Sequence, residues 1–451
     1  MTDISQLRQL GLFDSRVPRY TSYPTAPQFS DRVGNTTVED WLGRLSPGAE
    51  VSLYLHVPFC RRLCWFCACR TQGTTSAEPV QAYVETLLAE LALVVDRLPE
   101  GVTLSRLHWG GGTPTLMTGP QIRQLAGAIA EVLPFASGHE FSVEIDPNEL
   151  DDDRLDALAE AGMNRASIGV QDFDPEIQKA IGRQQSYELT ASTVEAIRAR
   201  GVTSLNMDLL YGLPFQTVER ISDGVRKVLS LRPDRVALYG YAHVPWMARR
   251  QGLIPAEALP PPEARLELST TAEHLFTEAG YQAVGIDHFA LPGDGLATAA
   301  REGRLRRNFQ GYTDDTAATL IGLGASAISR YPQGYAQNLS ATGAYQATVR
   351  RGSLATARGH AFAGEDRLRG RIIEALMCDF RADLEALSLE CGAAPGQARA
   401  LLDGLAEAMP DTTRLDGDVL TILPDARSLT RIIARHFDAY AAKPTGYSQA
   451  V

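Results

Sequence analysis

Ten residues, CRRLCWFCAC (60–69), hold four of the chain's six cysteines. Thiols at this density can pair as disulfides, hold a zinc ion or wrap an iron–sulfur cluster. The opening stretch, MTDISQLRQLGLFDSRVPRY, has neither a basic start nor an apolar run of secretory length. This places the protein in the cytoplasm, where thiols stay reduced and a disulfide staple is disfavoured. Structural zinc draws its ligands from two separated knuckles, whereas these cysteines are consecutive in one loop, with Cys67 and Cys69 two apart. A [4Fe-4S] cube takes thiolates from a wrapped loop, which such spacings provide. With Cys60, Cys64 and Cys67 as its only ligands, one iron keeps a position open for a small molecule. Cys378 and Cys391 stand alone and read as ordinary buried thiols.

The elements that must carry this loop are legible around it. VSLYLHV, LSRLHWG, EFSVEID, RASIGVQ, SLNMDLLYG and RVALYGYAHV are short apolar runs bounded by turn residues, as strands buried on both faces should be. Helical periods lie between them. In DDDRLDALAEAG an acidic first turn precedes Leu155, Leu158 and Ala159, and Gly162 ends the pattern. Six such units predict a parallel α/β sheet, either open and doubly wound or an incomplete barrel. The strands run into Cys60, GGGTPT (110–115), Glu144 with Asp146, Gln171, Asp208, and Tyr241 with His243. Parallel strands present their carboxyl ends on one face, so these six places converge on one site.

At 451 residues and 44% hydrophobic, the chain is long enough for two or three domains. Its net charge of −11 argues against broad nucleic-acid or membrane-surface binding, and no run reaches membrane-spanning length. The three glycines of GGGTPT let backbone approach a ligand closely, and the turn lacks the lysine of a phosphate loop. YQAVGIDHFAL (281–291) reads as one further strand. DRLRGRIIEALMCDF, GQARALLDGLAEAM and SLTRIIARHFDAY read as helices, and the Asp-Gly of TTRLDGDVLTILPDA as a hairpin turn, together a winged-helix-like module.

The C-x3-C-x2-C spacing on the loop after a first barrel strand resembles the radical S-adenosylmethionine (SAM) superfamily. PRYTSYPTA, LYLHVPFCRRLCWFCAC, LHWGGGTPT, VEIDP, GVQDF, DLLYGLP, YAHVP, DHFA and RNFQGYT, from Pro18 onward, narrow the resemblance to the oxygen-independent coproporphyrinogen III oxidases of haem biosynthesis. It implies an incomplete (β/α)6 barrel over 36–308, an N-terminal arm or lid over 1–35 and a mainly helical C-terminal domain over 309–451. It also implies a [4Fe-4S] cluster on Cys60, Cys64 and Cys67, with Cys69 not a ligand, and two SAM molecules. One SAM is touched by Tyr54, Gly112, Thr113, Glu144 and Ile328. The other is met by Phe66, Gly111, Gln171, Arg183, Asp208 and Ala242, with Phe309 and Gln310 nearby. The implied reaction turns two propionates of coproporphyrinogen III into vinyls through a 5′-deoxyadenosyl radical. Trp65, Ala68 and Gly240 stand where the family pattern has Tyr, Gly and Asn.

A substrate with four carboxylates needs local cations. REGRLRRNFQGY supplies Arg301, Arg304, Arg306 and Arg307, with Arg307 the foremost candidate. His56 and His243 read equally as structural groups or proton carriers. A monomer is expected, served by an electron donor and acceptor that the sequence does not name. The rival reading is a haem-chaperone-like relative that keeps the cluster but not the decarboxylation. A DNA-reading module is disfavoured because GQARALLDGLAEAM lacks a basic face.

Overall fold

The computed structural model describes residues 4–441 and 447–450; the ends of the expected arm and C-terminal domain, 1–3 and 451, lie outside them. All six strands read from the sequence form: β1 (Glu50–Val57), β2 (Thr103–Gly111), β3 (Phe135–Ile145), β4 (Arg165–Gln171), β5 (Ser204–Tyr211) and β6 (Arg235–Gly240). They lie side by side in chain order, all parallel. Helices cross over between them, as parallel pairing requires. The first of these, α1 (Glu78–Val95), leads from the cysteine loop to β2. Val51, Leu53, Leu55 and Val57 of β1, with their register neighbours Trp109 of β2 and Phe141 of β3, are at most 1% exposed and share one face of the sheet, which is therefore fully covered. The crossover helix Val218–Leu231 shows how the sequence achieves this. Ile221, Val225 and Val228 make one apolar stripe, and the Thr217 side chain accepts from the Arg220 N–H at the start.

The sheet does not close. YQAVGIDHFAL forms two antiparallel strands, β7 (Gln282–Val284) and β8 (His288–Ala290), rather than one. Gly285 reverses the chain at φ +56, and its missing side chain makes room for the Tyr312 ring, which a Cβ would meet at 2.0 Å. On the other flank β9 (Leu320–Leu323) adds to β1 in parallel. Antiparallel β10 (Ile328–Tyr331), β11 (Gly334–Asn338) and β12 (Thr356–Ala361) follow, completing twelve strands. Residues 320–361 therefore extend the main sheet rather than the helical end of the chain.

A second core joins the two ends of the sequence. Leu7, Leu12, Phe13, Tyr20 and Tyr23 of the arm are buried with Leu376, Ile433 and Phe437. The hairpin at Asp416 and Gly417 is present (Thr413–Asp416 with Val419–Ile422), and Arg381–Asp383 adds a third strand. GQARALLDGLAEAM is not one helix. Gly396 and Gly404 adopt left-handed φ values of +78 and +75, leaving two four-residue turns of helix. The last helix is also shorter than its sequence suggests, Thr430–Arg435.

Glu90 of α1 fastens the flank beside β1. Its buried carboxylate accepts from Gly324 N at 2.7 Å, Asn338 Nδ2 at 2.6 Å and the Tyr345 hydroxyl at 2.6 Å. Burial lifts its carboxyl from 4.5 to about 7, against the pull of those three donors. A folded-state pKa above the unfolded one means that stability is fully present below about pH 4.5 and is lost as pH rises through about 7. Urea unfolding of wild type should show this loss, on the order of 3 kcal/mol. Glu90→Gln should remove that part of the slope; an unchanged slope in the variant would assign it to other groups.

Candidate active site at the carboxyl ends of the strands

The cysteine loop is tied into a ring at its base. Phe59 and Cys60 pair with Gln72 and Gly73, Gln72 N donates to Pro58 O at 2.8 Å, and Thr74 N donates to Cys60 O at 3.0 Å. Cys60, Cys64 and Cys67 are free thiols, each partly exposed, and close enough for Cys64 and Cys67 to act electrostatically on Cys60. Burial pushes the Cys60 thiol to about 11, while the Thr113 side chain opposes it. Burial also raises Cys64, against the Arg183 guanidinium, whose Nη1 lies 3.7 Å from Sγ. The Cys69 thiol donates to Cys67, and this bond brings Cys67 down to about 6. Cys69 thus supports Cys67 and is itself exposed. Among the described residues no trio of His, Cys, Asp or Glu closes tightly enough to hold a single metal ion.

The glycine turn lies against the base of this loop. Gly112 N donates to Val57 O and Thr113 N to Phe59 O, both at 2.8 Å. A Cβ on Gly112 would stand 2.6 Å from Phe59 O, and one on Gly111 2.5 Å from the His56 ring. β1 and β2 therefore end as one packed backbone ledge. Pairing sets Tyr54 opposite His108, and their rings stack at 5.7 Å. The Tyr54 hydroxyl lies 3.0 Å from His56 Nδ1, and His56 Nε2 lies 3.0 Å from Arg70 O. A carbonyl only accepts, so Nε2 carries the hydrogen and Nδ1 accepts from Tyr54. Burial lowers the His56 pKa, which keeps this ring neutral.

Glu144, from β3, accepts from Gly111 N at 3.0 Å and lies 3.4 Å from His108 Nε2. Burial opposes its charge, but the His108 and Gly111 hydrogen bonds outweigh that and hold its carboxyl below the usual range. Gln171 ends β4 at φ +68, a left-handed position for a residue with a side chain. Arg183 reaches Gly169 O at 2.9 Å and Gln185 Oε1 at 3.0 Å, and stands 3.7 Å from Asp146. Its Nε has no partner among the described residues. Asp208 of β5 accepts from Asn206 Nδ2 at 2.8 Å, and burial raises its carboxyl to about 6. Three thiols, a carboxylate held charged, and a buried guanidinium with an unused N–H form a donor set suited to a thiolate-bound cluster and a charged amino-acid ligand beside it.

Other expected residues stand further out. The Phe66 and Ala242 carbonyls are bridged by Gln251 Nε2, at 2.8 and 3.1 Å. Ile328 lies beside Gly322, the strand partner of Tyr54. Phe309 and Gln310 form the turn of the ribbon Arg306–Asn308 and Gly311–Thr313; Phe309 sits edge-on to Tyr335, and Gln310 is exposed. Arg307 is buried, whereas Arg301 and Arg304 are exposed and engaged with Gln282 and Glu302. The run of four arginines therefore splits, and of the four Arg307 lines two cavities beside the ribbon. His108 and Gln251 are additions of the structure. His108 lies two residues before the glycine turn, in a motif already singled out, whereas nothing in the sequence links Gln251 to the distant Phe66.

Residues 54–227 match the radical SAM superfamily. The chain is 60% identical to the oxygen-independent coproporphyrinogen III oxidase of Paracoccus denitrificans over 451 residues, all of both chains. It is 55% identical to the anaerobic coproporphyrinogen III oxidase 1 of Cereibacter sphaeroides, again over the whole of both. The solved structure of the Escherichia coli coproporphyrinogen III oxidase, a radical SAM enzyme, superposes with a TM-score of 0.88 at 37% identity, covering 94% of this chain and 100% of that one. No helix among the described residues is long and apolar enough to cross a membrane. Ledge, thiol loop and full-length likeness agree: the chain belongs to the oxygen-independent coproporphyrinogen III oxidase family of the radical SAM superfamily.

Proposed function

We propose that this enzyme oxidatively decarboxylates two propionate side chains of coproporphyrinogen III to vinyls, giving protoporphyrinogen IX in haem biosynthesis without oxygen. The observation that carries the reading is the thiol loop seated on the Gly110–Gly112 ledge, in a chain alike over its whole length to coproporphyrinogen III oxidases. When bound, the cluster and SAM supply the electron and the adenosyl radical that removes a hydrogen from the propionate β-carbon. Cys60, Cys64 and Cys67 hold the cluster. Tyr54, Gly112, Thr113, Glu144 and Ile328 line the place of the first SAM, where charged Glu144 suits an ammonium group. Phe66, Gly111, Gln171, Arg183, Asp208 and Ala242 line that of the second, with Phe309 and Gln310 at its outer edge. The Tyr54–His56–Arg70 chain keeps the phenol proton fixed and the floor rigid. The arm, the barrel and the C-terminal unit act as separate parts in this reading, the arm serving as a lid. The enzyme works as a cytoplasmic monomer with a separate electron donor and acceptor.

Purified without oxygen, reconstituted with iron and sulfide, and given SAM, a reductant and coproporphyrinogen III, it should yield a product with two vinyls, lighter by two CO2 and four hydrogens. Release of 5′-deoxyadenosine with the substrate intact would reassign the substrate. Haem binding without vinyl product would favour the haem-transfer relative.

A further inference from the structure

A cavity of about 450 Å3 opens beside the carboxyl end of β6, between the sheet, the arm and the C-terminal unit. Its lining holds six arginines, Arg16, Arg19, Arg265, Arg307, Arg427 and Arg431, against two carboxylates, Glu273 and Asp287. In a chain of net charge −11 this is a local reversal of sign. Arg265, Arg307 and Arg431 are all less than a tenth exposed, yet most of their donors neutralise nothing. Among the described residues Arg431 bonds only main-chain carbonyls, those of Val17, Pro18, Gln449 and Ala450. Arg19 donates to Gly240 O at 2.6 Å and Arg265 to Tyr241 O at 2.7 Å. Arg265 Nε, and Nε and Nη1 of Arg307, have no partner among the described residues. The Arg307 guanidinium stands 3.6 Å from Asp287 and 4.4 Å over the Tyr312 ring, while its main-chain N donates to Glu374 at 3.0 Å.

Burying cations without counter-ions is costly, and here the cost shows. Burial, with the field of Arg19 added, pulls the Arg431 guanidinium down to about 9 and lowers Arg265 as well. Asp287 relieves this only in part, since Arg307 and His288 already engage it and Arg431 stays lowered despite its field. An anionic ligand would satisfy the unused N–H groups and the excess charge together.

The geometry points to a carboxylate-binding cavity in which Arg19, Arg265, Arg307 and Arg431 receive propionates of the tetrapyrrole other than the one reacting. This assignment rests on the activity proposed above. The cavity is small for a whole tetrapyrrole and suits one edge of it. It shares Ala242 with the second SAM place, so an edge seated among the arginines brings the neighbouring arm of the ring towards the chemistry. Each decarboxylation removes one carboxylate, so the divinyl product is held more weakly than the substrate and leaves.

Coproporphyrin III, the oxidised ring with the same four carboxylates, is the probe, titrated by fluorescence into reconstituted enzyme without SAM. It should bind, its tetramethyl ester should not, and protoporphyrin IX should bind more weakly. Arg307→Gln and Arg265→Gln should each weaken binding by about tenfold or more. Asp287→Asn, which removes a negative charge from the cavity, should bind at least as tightly as wild type and so reports the sign of the field independently of lost folding. Arg304→Gln, exposed and outside the cavity, should leave binding unchanged. Equal binding of acid and ester, or wild-type affinity in both arginine variants, would overturn the assignment. Turnover of coproporphyrinogen III by wild type judges the activity separately. Vinyl product from variants that bind and react like wild type would sink the cavity and spare the activity. Arginine-dependent binding of the acid with no vinyl product would do the reverse.

Discussion

Cys64→Ala enzyme, reconstituted without oxygen, is expected to hold less iron than wild type and to release no detectable 5′-deoxyadenosine from SAM. The loop offers three thiols from one ring of backbone, and removing one leaves two, too few to keep three irons. Cys64 is the most telling of the three because the Arg183 guanidinium, 3.7 Å from Sγ, offsets part of the burial that raises its thiol, so this position is already poised towards a cation-supported ligand. Cys69→Ala is the contrast. It removes the hydrogen bond that holds Cys67 down, so cluster assembly should need higher pH, but the iron content reached should match wild type. Wild-type iron content in Cys64→Ala, or its loss in Cys69→Ala at every pH, would redraw the ligand set.

The second large effect is at Gly112. Gly112→Ala places a Cβ 2.6 Å from Phe59 O and 2.8 Å from Val57 O, both main-chain atoms that no side-chain rotation can move aside. The two 2.8 Å hydrogen bonds of the ledge must then stretch or break. We expect a loss of stability of about 2–4 kcal/mol and, because the ledge fixes the distance between thiol loop and ligand, a fall in turnover of about a hundredfold. Gly127→Ala is the matched control. Its Cβ meets nothing within 4 Å on a helix face, and it should stabilise by about 0.5–1 kcal/mol. Thermal unfolding and deoxyadenosine release measured on both variants separate packing from chemistry; a fully active Gly112→Ala enzyme would remove the ledge from the account.

What the sequence made legible follows from how local each signal is. One face of β1 to β6 is packed against apolar neighbours, so each strand appears as a short run with an apolar residue at about every second place. The thiols and glycines each sit within about ten residues of chain, where spacing alone constrains geometry. The reading of 281–291 as one strand failed because the apolar run hid Gly285, whose turn is set by Tyr312 arriving from another element. The 396–409 stretch has a helical period, but Gly404 in the left-handed region interrupts it. Arg19, Arg265 and Arg431 come from the arm, a crossover helix and the last helix, so no local pattern announces their meeting. Arg301, Arg304 and Arg306 stand beside Arg307 in sequence, yet Arg301 and Arg304 are engaged elsewhere on the surface.

The joining of the arm to the far end of the chain bears on the order of synthesis. Leu7, Leu12 and Phe13 are translated well before their packing partners Leu376, Ile433 and Phe437, which lie more than 350 positions further along the sequence. At about 10 residues per second the arm waits about 40 seconds before the last of these partners is made. Before that interval ends β1 to β6 and the thiol loop have all been made, while the arm, whose Arg19 reaches Gly240, still lacks its C-terminal packing partners. The core that the arm shares with Leu376, Ile433 and Phe437 therefore cannot be completed until Phe437 has been made.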